Sequence, residues 1–132
     1  RSDGFQHGSL ILMAQRRINI VGSRILILGL TFKENCADLR NTRVVDIVRA
    51  LESYHANVDV HDPWVNAEEV RREYGIALTE APAAGDYDLV LLTVAHHQFV
   101  DLQSNVRRFL KPNGLVFDVK YALPTSSVDG RL

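Results

Sequence analysis

The chain has one cysteine, Cys36, so no internal disulfide can form, which suits a reducing cytoplasm. It also has no apolar run near the roughly 20 residues that a bilayer-spanning helix needs, and no membrane segment is expected. Charge of either sign is not in excess. Fifteen basic side chains face 16 acidic ones, for a formal net charge of −1, which argues against a nucleic-acid module with its usual basic surplus. Two phosphate-cradling signatures are missing as well: neither G-x-G-x-x-G nor G-x-x-x-x-G-K-S/T occurs. Any anion bound here would have to be held by charged side chains. Metal chemistry lacks a ligand set too. His96 and His97 are adjacent at a strand end and point apart, and no Cys, Asp or Glu stands at ligand spacing to them. No metal is expected.

What remains is an ordinary globular composition. At 132 residues, 46% hydrophobic and 23% charged, the chain is one domain with enough apolar side chains for a core. The sequence opens on Arg1 rather than Met, and the expectation is a fragment of a longer protein. Residues 1–8 are polar and contain glycine, and a loosely ordered tail is expected there. Ser9 to Ile18 reads as a short helix, apolar enough to expose a face that wants a partner.

The chain is organised around residues 24–51. The apolar run Ile25 to Leu28, stopped by Gly29, reads as a buried strand. Val44, Ile47, Val48 and Leu51 fall at helical spacing opposite Arg43, Asp46, Arg49 and Glu52, with Asn41 or Thr42 able to cap the helix. Between them lies a loop carrying Lys33, Glu34, Asp38 and Arg40. In a parallel sheet such a loop sits beyond the strand's carboxyl end, where ligands bind.

The remaining segments follow in turn. Residues 56–61 alternate as a second strand, ended by Pro63. Asn66 with Glu69 predicts a capped helix over 66–74, closed by Gly75. Ile76 to Leu78 reads as a short edge strand and Tyr87 to Val94 as a second buried one. Gln103 to Leu110 has helical spacing, Lys111 to Gly114 reads as a turn, and Leu115 to Val119 is the last strand.

Strands alternating with helices predict an α/β, Rossmann-like open parallel sheet of about five strands with helices on both faces. Right-handed crossovers favour the order 3-2-1-4-5, with these strands numbered along the chain. Lys33, the His96–His97 pair, Asp118 and Lys120 then share one sheet edge. Two lysines converging at the switch point predict an anionic ligand, phosphate being the commonest kind. For the histidine pair, a single His lining the crevice is favoured over a metal pair, with the roles of His96 and His97 left open. A phospho-receiver reading fails, because that chemistry wants an acidic pair after the first strand to hold Mg²⁺, and Lys33 stands there instead. Cys36 has no base fixed beside it and reads as inert. Trp64 and Tyr74 read as core or interface aromatics.

Gly29-Leu-Thr-Phe-Lys33-Glu-Asn-Cys-Ala-Asp38-Leu-Arg40-Asn-Thr42 closely resembles the G-x-x-F-K-x-x-x-x-D-x-R-x-S/T motif of the UDP-glucose/GDP-mannose dehydrogenases. Val60 to Pro63, Leu91 to Thr93 with His96, and Phe117 to Lys120 resemble further pieces of that family's C-terminal domain, so the likeness runs over residues 8 to 123. The wording around Lys33 looks most like the branch acting on UDP-N-acetyl-hexosamines for surface polysaccharides. The resemblance implies an enzyme that oxidises a sugar C6 alcohol to a carboxylate with NAD⁺ and a covalent Cys thioester. It implies that this chain is the UDP-sugar-binding end, inactive alone, with the nucleophilic Cys and the NAD-binding and central helical regions upstream. No catalytic residue is then expected here. Phe32, Lys33 and Lys120 would contact the UDP-sugar, and Arg40 would reach NAD. Residues 1–20 would be a tail and the end of an interdomain helix, residues 21–132 the binding domain. The intact enzyme would be a cytoplasmic homodimer. The competing expectation is a free-standing, non-catalytic nucleotide-sugar-binding or regulatory module.

Overall fold

The structure, a computed structural model, describes residues 2–131, with the side chains of residues 2–7 and 9 outside the described set. Arg1 and Leu132, the outer bounds of the two expected segments, also lie outside it. In chain order the elements are α1 (Ser2–Gln15), β1 (Arg24–Leu28), α2 (Val44–Ser53), β2 (Asn57–His61), α3 (Ala67–Tyr74) and β3 (Tyr87–Leu92). A short α4 (His97–Val100), a 3₁₀ helix over Gln103–Phe109, β4 (Leu110–Asp118), a 3₁₀ turn over Thr125–Ser127 and β5 (Gly130–Arg131) complete it.

The five strands are all parallel, in the order β2-β1-β3-β4-β5. This is the expected Rossmann-like sheet with the first strand near its middle. Strand alternation divides the core. Ile25, Ile27, Leu89, Leu91, Leu115 and Phe117 face α1, α2 and α3, while Leu26, Leu28, Val90, Leu92 and Val116 face Phe99, Val106 and Phe109. Helices on both faces leave the central strands buried on both sides, which is why β1 and β3 are continuous apolar runs. Truncating such a residue, for example Leu89→Ala, costs roughly 2–5 kcal/mol, because transfer and cavity terms add.

Caps confirm two expected helices. Asn66 Oδ1 accepts from the Glu69 N–H at 3.0 Å, and Gly75 closes α3 with φ +69°. At α2 the N-cap position is Arg43, without a side-chain cap, but Thr42 Oγ1 accepts from the Val44 N–H at 3.2 Å.

Four expectations need correction. The third strand is only an isolated parallel bridge, Val60 to Leu78, on the outer side of β2. In its place β5 joins the far edge, a two-residue strand with too little pattern to be read. Residues 111–114 do not terminate a helix as a turn but lie within β4. Tyr87 pairs with Leu110 and Leu89 with Leu115, so the intervening residues bulge out of register. A bulge tolerates Pro112, which has no N–H for a ladder. Residues 2–8 are helical rather than loose, continuing α1 to its start. Finally, α1 does not present a free apolar face over residues 9–18. Met13 is buried and Leu12 packs against the core, leaving Ile11, 44% exposed, as the large apolar side chain facing outward among those described.

Charges at the amino edge of the sheet are paired internally. Arg24 bridges Asp59 at 2.9 Å and Asp86 at 2.7 Å, and Lys111 meets Asp88 at 3.2 Å. The carboxyl edge differs.

Candidate functional site

At the carboxyl edge, β1 and β3 end against each other. Gly29 has φ +108°, and a Cβ there would stand 2.5 Å from the Val94 Cβ. Only glycine fits that approach and that backbone. Thr93 Oγ1 donates to the Gly29 carbonyl at 2.6 Å and locks the junction.

From Gly29 the chain enters a long loop pinned by its neighbours. The buried Asp62, just past β2, takes the Leu30 and Thr31 N–H groups on Oδ2 at 2.7 and 3.2 Å and the Trp64 N–H on Oδ1 at 2.8 Å. His96, just past β3 and 0% exposed, stands between this carboxylate and the loop. Its Nδ1 accepts from the Asn35 N–H at 2.9 Å, which leaves the ring proton on Nε2. Nε2 then lies 3.0 Å from Asp62 Oδ2 and 3.1 Å from Thr31 Oγ1. Burial pushes the Asp62 carboxyl up, but the His96 bond and the Leu30 and Trp64 N–H groups outweigh it and hold the group below the usual carboxylate range. Thr31 Oγ1 donates to the Lys33 carbonyl at 3.0 Å, and Asn35 Oδ1 accepts from the His97 N–H at 2.9 Å. Trp64 stacks on the His96 ring at 5.8 Å between centroids.

The far half of the loop is closed by Thr42 and by a charge pair. Arg40 grips Asp38 through Nε at 3.0 Å and Nη2 at 3.1 Å. That grip holds the Asp38 carboxyl below its ordinary value. Arg40 itself remains 87% exposed in its side chain. On the last strand, the buried Asp118 accepts from the Lys120, Ala122 and Leu123 N–H groups at 2.8, 2.8 and 2.9 Å. Lys120 therefore sits on a turn built by a carboxylate.

These elements enclose an open crevice of about 240 Å³. Phe32, with 54% of its surface exposed, forms one wall. Asn41, Arg43, Thr93 and Lys120 supply the polar lining, and Val44, Ile47 and Val94 the floor. The structure thus brings Phe32 and Lys120 together. Lys33 lies exposed on the same loop, outside the immediate lining, and Arg40 lies farther along it. Arg43 is the cation that sequence reasoning missed, because helical periodicity assigned it to a solvent face. Among the described residues none of Lys33, Arg43 and Lys120 forms an ion pair with an acid.

Two expectations about histidine and cysteine can be placed. His96 does not line the crevice; it is buried behind the loop, and His97 lies 3.8 Å from Asp101 on the surface. Cys36 is a free, half-buried thiol in the loop. Among the described residues no group of three His, Cys, Asp or Glu side chains could hold a metal ion. A second crevice, about 260 Å³, opens on the opposite face of the sheet and is lined by His61, Glu80, Gln98 and Arg108 among others.

Comparison with known proteins agrees with this architecture. Residues 26–125 match the UDP-glucose/GDP-mannose dehydrogenase family, UDP binding domain. The chain is 50% identical over 121 residues to UDP-N-acetyl-D-glucosamine 6-dehydrogenase of Pseudomonas aeruginosa, covering 91% of this chain and 29% of that relative. It is 48% identical over 121 residues to the enzyme of the same name from Salmonella typhi, covering 91% of this chain and 28% of the relative. In fold it matches NDP-N-acetyl-D-galactosaminuronic acid dehydrogenase from Methanosarcina mazei with a TM-score of 0.84 at 17% identity, over 98% of this chain and 28% of that one. The chain therefore spans under a third of the length of these proteins. It belongs to the UDP-glucose/GDP-mannose dehydrogenase family, as a UDP binding domain of that family.

Proposed function

We propose that this chain is the UDP-sugar-binding end of an NAD-dependent UDP-sugar 6-dehydrogenase, acting on a UDP-N-acetyl-hexosamine for surface polysaccharide synthesis. One observation carries the reading: Arg43 and Lys120 line one crevice with the exposed Phe32 ring, Lys33 is exposed on the adjoining loop, and among the described residues none of the three cations forms an ion pair. Cations without counter-ions beside a concave surface are what a diphosphate needs. Phe32 gives a flat apolar wall for a ring of the ligand. Lysine at position 120 contributes a point charge rather than a bidentate fork, so orientation falls to Arg43 and to Asn41.

The reaction proposed for the intact protein oxidises the sugar C6 alcohol to a carboxylate, with two NAD⁺ as the acceptors of two hydrides, water supplying the second oxygen and three protons released. This chain binds and orients the nucleotide end of the sugar, and the nucleophilic cysteine lies elsewhere in the protein. Arg40 is the residue proposed to reach NAD. Its exposed guanidinium, prepositioned by Asp38, fits an anionic diphosphate. Residues 1–20 are proposed to join this domain to the rest of the chain, residues 21–132 to form the binding domain, and the intact protein to be a soluble homodimer.

The test is steady-state kinetics of the intact protein with UDP-N-acetyl-D-glucosamine. Lys33→Ala and Lys120→Ala should each raise KM for the nucleotide sugar by about tenfold or more, the loss of one charge-assisted contact. Wild-type KM and kcat/KM in both variants would sink the proposal.

A further inference from the structure

Apart from the cations of the crevice, the carboxyl edge holds a buried polar cluster to which the proposed function gives no task. Asp62, His96 and Thr31 are each 5% exposed or less, and each comes from the end of a different strand. Between them they bind the loop that carries Phe32 and Lys33; Thr31 also borders the crevice, while Asp62 and His96 stand outside its lining.

The two nitrogens of His96 have separate work. Nε2 faces inward to Asp62 and Thr31, at 3.0 and 3.1 Å. Nδ1 faces the loop and accepts its Asn35 N–H at 2.9 Å. Asn35 returns the contact, its Oδ1 taking the His97 N–H at 2.9 Å. Asn35 has φ +54°, a left-handed conformation that asparagine tolerates better than most residues. Lys33 is thus bracketed, its carbonyl held by Thr31 Oγ1 on one side and the chain held at Asn35 on the other. The Phe32 N–H donates to the Asp38 carbonyl at 2.9 Å within the loop, and among the described residues no further hydrogen bond ties residues 33–35 to the body of the domain.

From this arrangement we infer that His96 is a positioning residue for the nucleotide-sugar site, with Nδ1 and Asn35 setting where Phe32 and Lys33 stand and Nε2 and Asp62 setting the ring. The inference rests on the proposed binding role of that loop. It separates stability from ligand affinity within one side chain. The bond to Asp62 satisfies a buried carboxylate, so its loss acts on folding. The bond to Asn35 acts on a surface loop, so its loss acts on the ligand.

Each nitrogen has an isosteric amide. In His96→Asn the Oδ1 falls near the Nδ1 position and keeps an acceptor for Asn35 while losing the donor to Asp62. In His96→Gln the terminal NH₂ falls near Nε2 and keeps the donor while losing the acceptor. Both are made in the intact protein, with Lys33→Ala and Asn35→Gly beside them. KM for UDP-N-acetyl-D-glucosamine at saturating NAD⁺, KM for NAD⁺ and the melting temperature are measured for each.

The inference predicts a crossed order. H96Q is the more stable of the pair and the poorer binder, with the nucleotide-sugar KM up by about tenfold, the loss of one hydrogen bond at the loop. H96N is the less stable and recovers most of the affinity. KM for NAD⁺ moves in neither. N35G, which keeps the positive φ but loses the bond to His97, also raises the nucleotide-sugar KM. It decides the matter if H96Q does not fold. A merely structural histidine would make affinity follow stability, with H96N worse in both, and that result overturns the inference. Raised KM in K33A with unchanged KM in H96Q and N35G overturns the positioning role alone. Wild-type KM in K33A removes the binding role of the loop, and the inference with it.

Discussion

Thr42 Oγ1 donates to the Leu30 carbonyl at 2.6 Å and accepts from the Val44 N–H at 3.2 Å. One hydroxyl thus closes the loop after β1 across its two ends and satisfies an orphan donor at the start of α2. Thr42→Val, which keeps the shape and loses both bonds, should lower stability by about 1–2 kcal/mol. Thr42→Ser should keep most of it. Urea denaturation of the two variants checks this, and equal stability of Thr42→Val and wild type would show that the hydroxyl is idle.

Gly29 should tolerate no side chain. A methyl group at 2.5 Å from the Val94 Cβ, on a residue with φ +108°, forces β1 and β3 apart where the crevice begins. Gly29→Ala should cost at least about 2 kcal/mol and lower the melting temperature by several degrees. A melting temperature equal to wild type would mean that the two strand ends separate freely.

Stability should fall with acid in a way that Asp129 makes visible. Burial raises its carboxyl, but the Val116 N–H at 2.9 Å and Arg107 at 2.8 Å more than offset this, and the group is held below its ordinary value. A carboxylate whose folded value is depressed stabilises the native state above its unfolded value, about 3.9. That contribution is lost as pH falls through the folded value. Asp129→Asn should therefore lower the urea midpoint at pH 7, and the gap to wild type should narrow below about pH 4. A gap that stays constant with pH would assign the effect to packing.

Cofactor and nucleotide sugar should separate by residue. Arg43→Ala should raise KM for the UDP-sugar several-fold, one ionic contact being removed from the crevice lining. Arg40→Ala should instead raise KM for NAD⁺ and leave the UDP-sugar value within about twofold. Cys36→Ser should leave kcat unchanged, since the thiol has no proposed part in the reaction. The pattern fails if Arg40→Ala acts on the nucleotide sugar alone.

Much of this molecule could be read from its residues, and the exceptions have physical causes. Ile25 to Leu28 and Tyr87 to Leu92 are buried on both faces, so their apolar runs announced them. Asn66 and Gly75 announced α3 through cap chemistry. Lys111 to Gly114 misled because turn residues also suit a bulge, and only the register against β3 tells the two apart. Gly130 and Arg131 form a strand because β4 offers them an edge, which no local pattern records. At the site, the loop motif pointed to Phe32 and Lys33, and a separate piece, Phe117 to Lys120, pointed to Lys120. Arg43 stayed hidden because helical periodicity cannot say whether a polar face meets solvent or a crevice. His96 was placed at the right edge but on the wrong side of the loop, since burial of a histidine depends on partners, Asp62 and Asn35, distant in sequence.

The most direct measurement maps UDP onto the protein by amide chemical shifts of the ¹⁵N-labelled chain. Binding as proposed predicts that Phe32, Lys33, Asn41, Arg43 and Lys120 shift together and saturably. Shifts confined to the crevice on the opposite face, at His61, Glu80 and Arg108, or no saturable shift in the loop after β1, would contradict it.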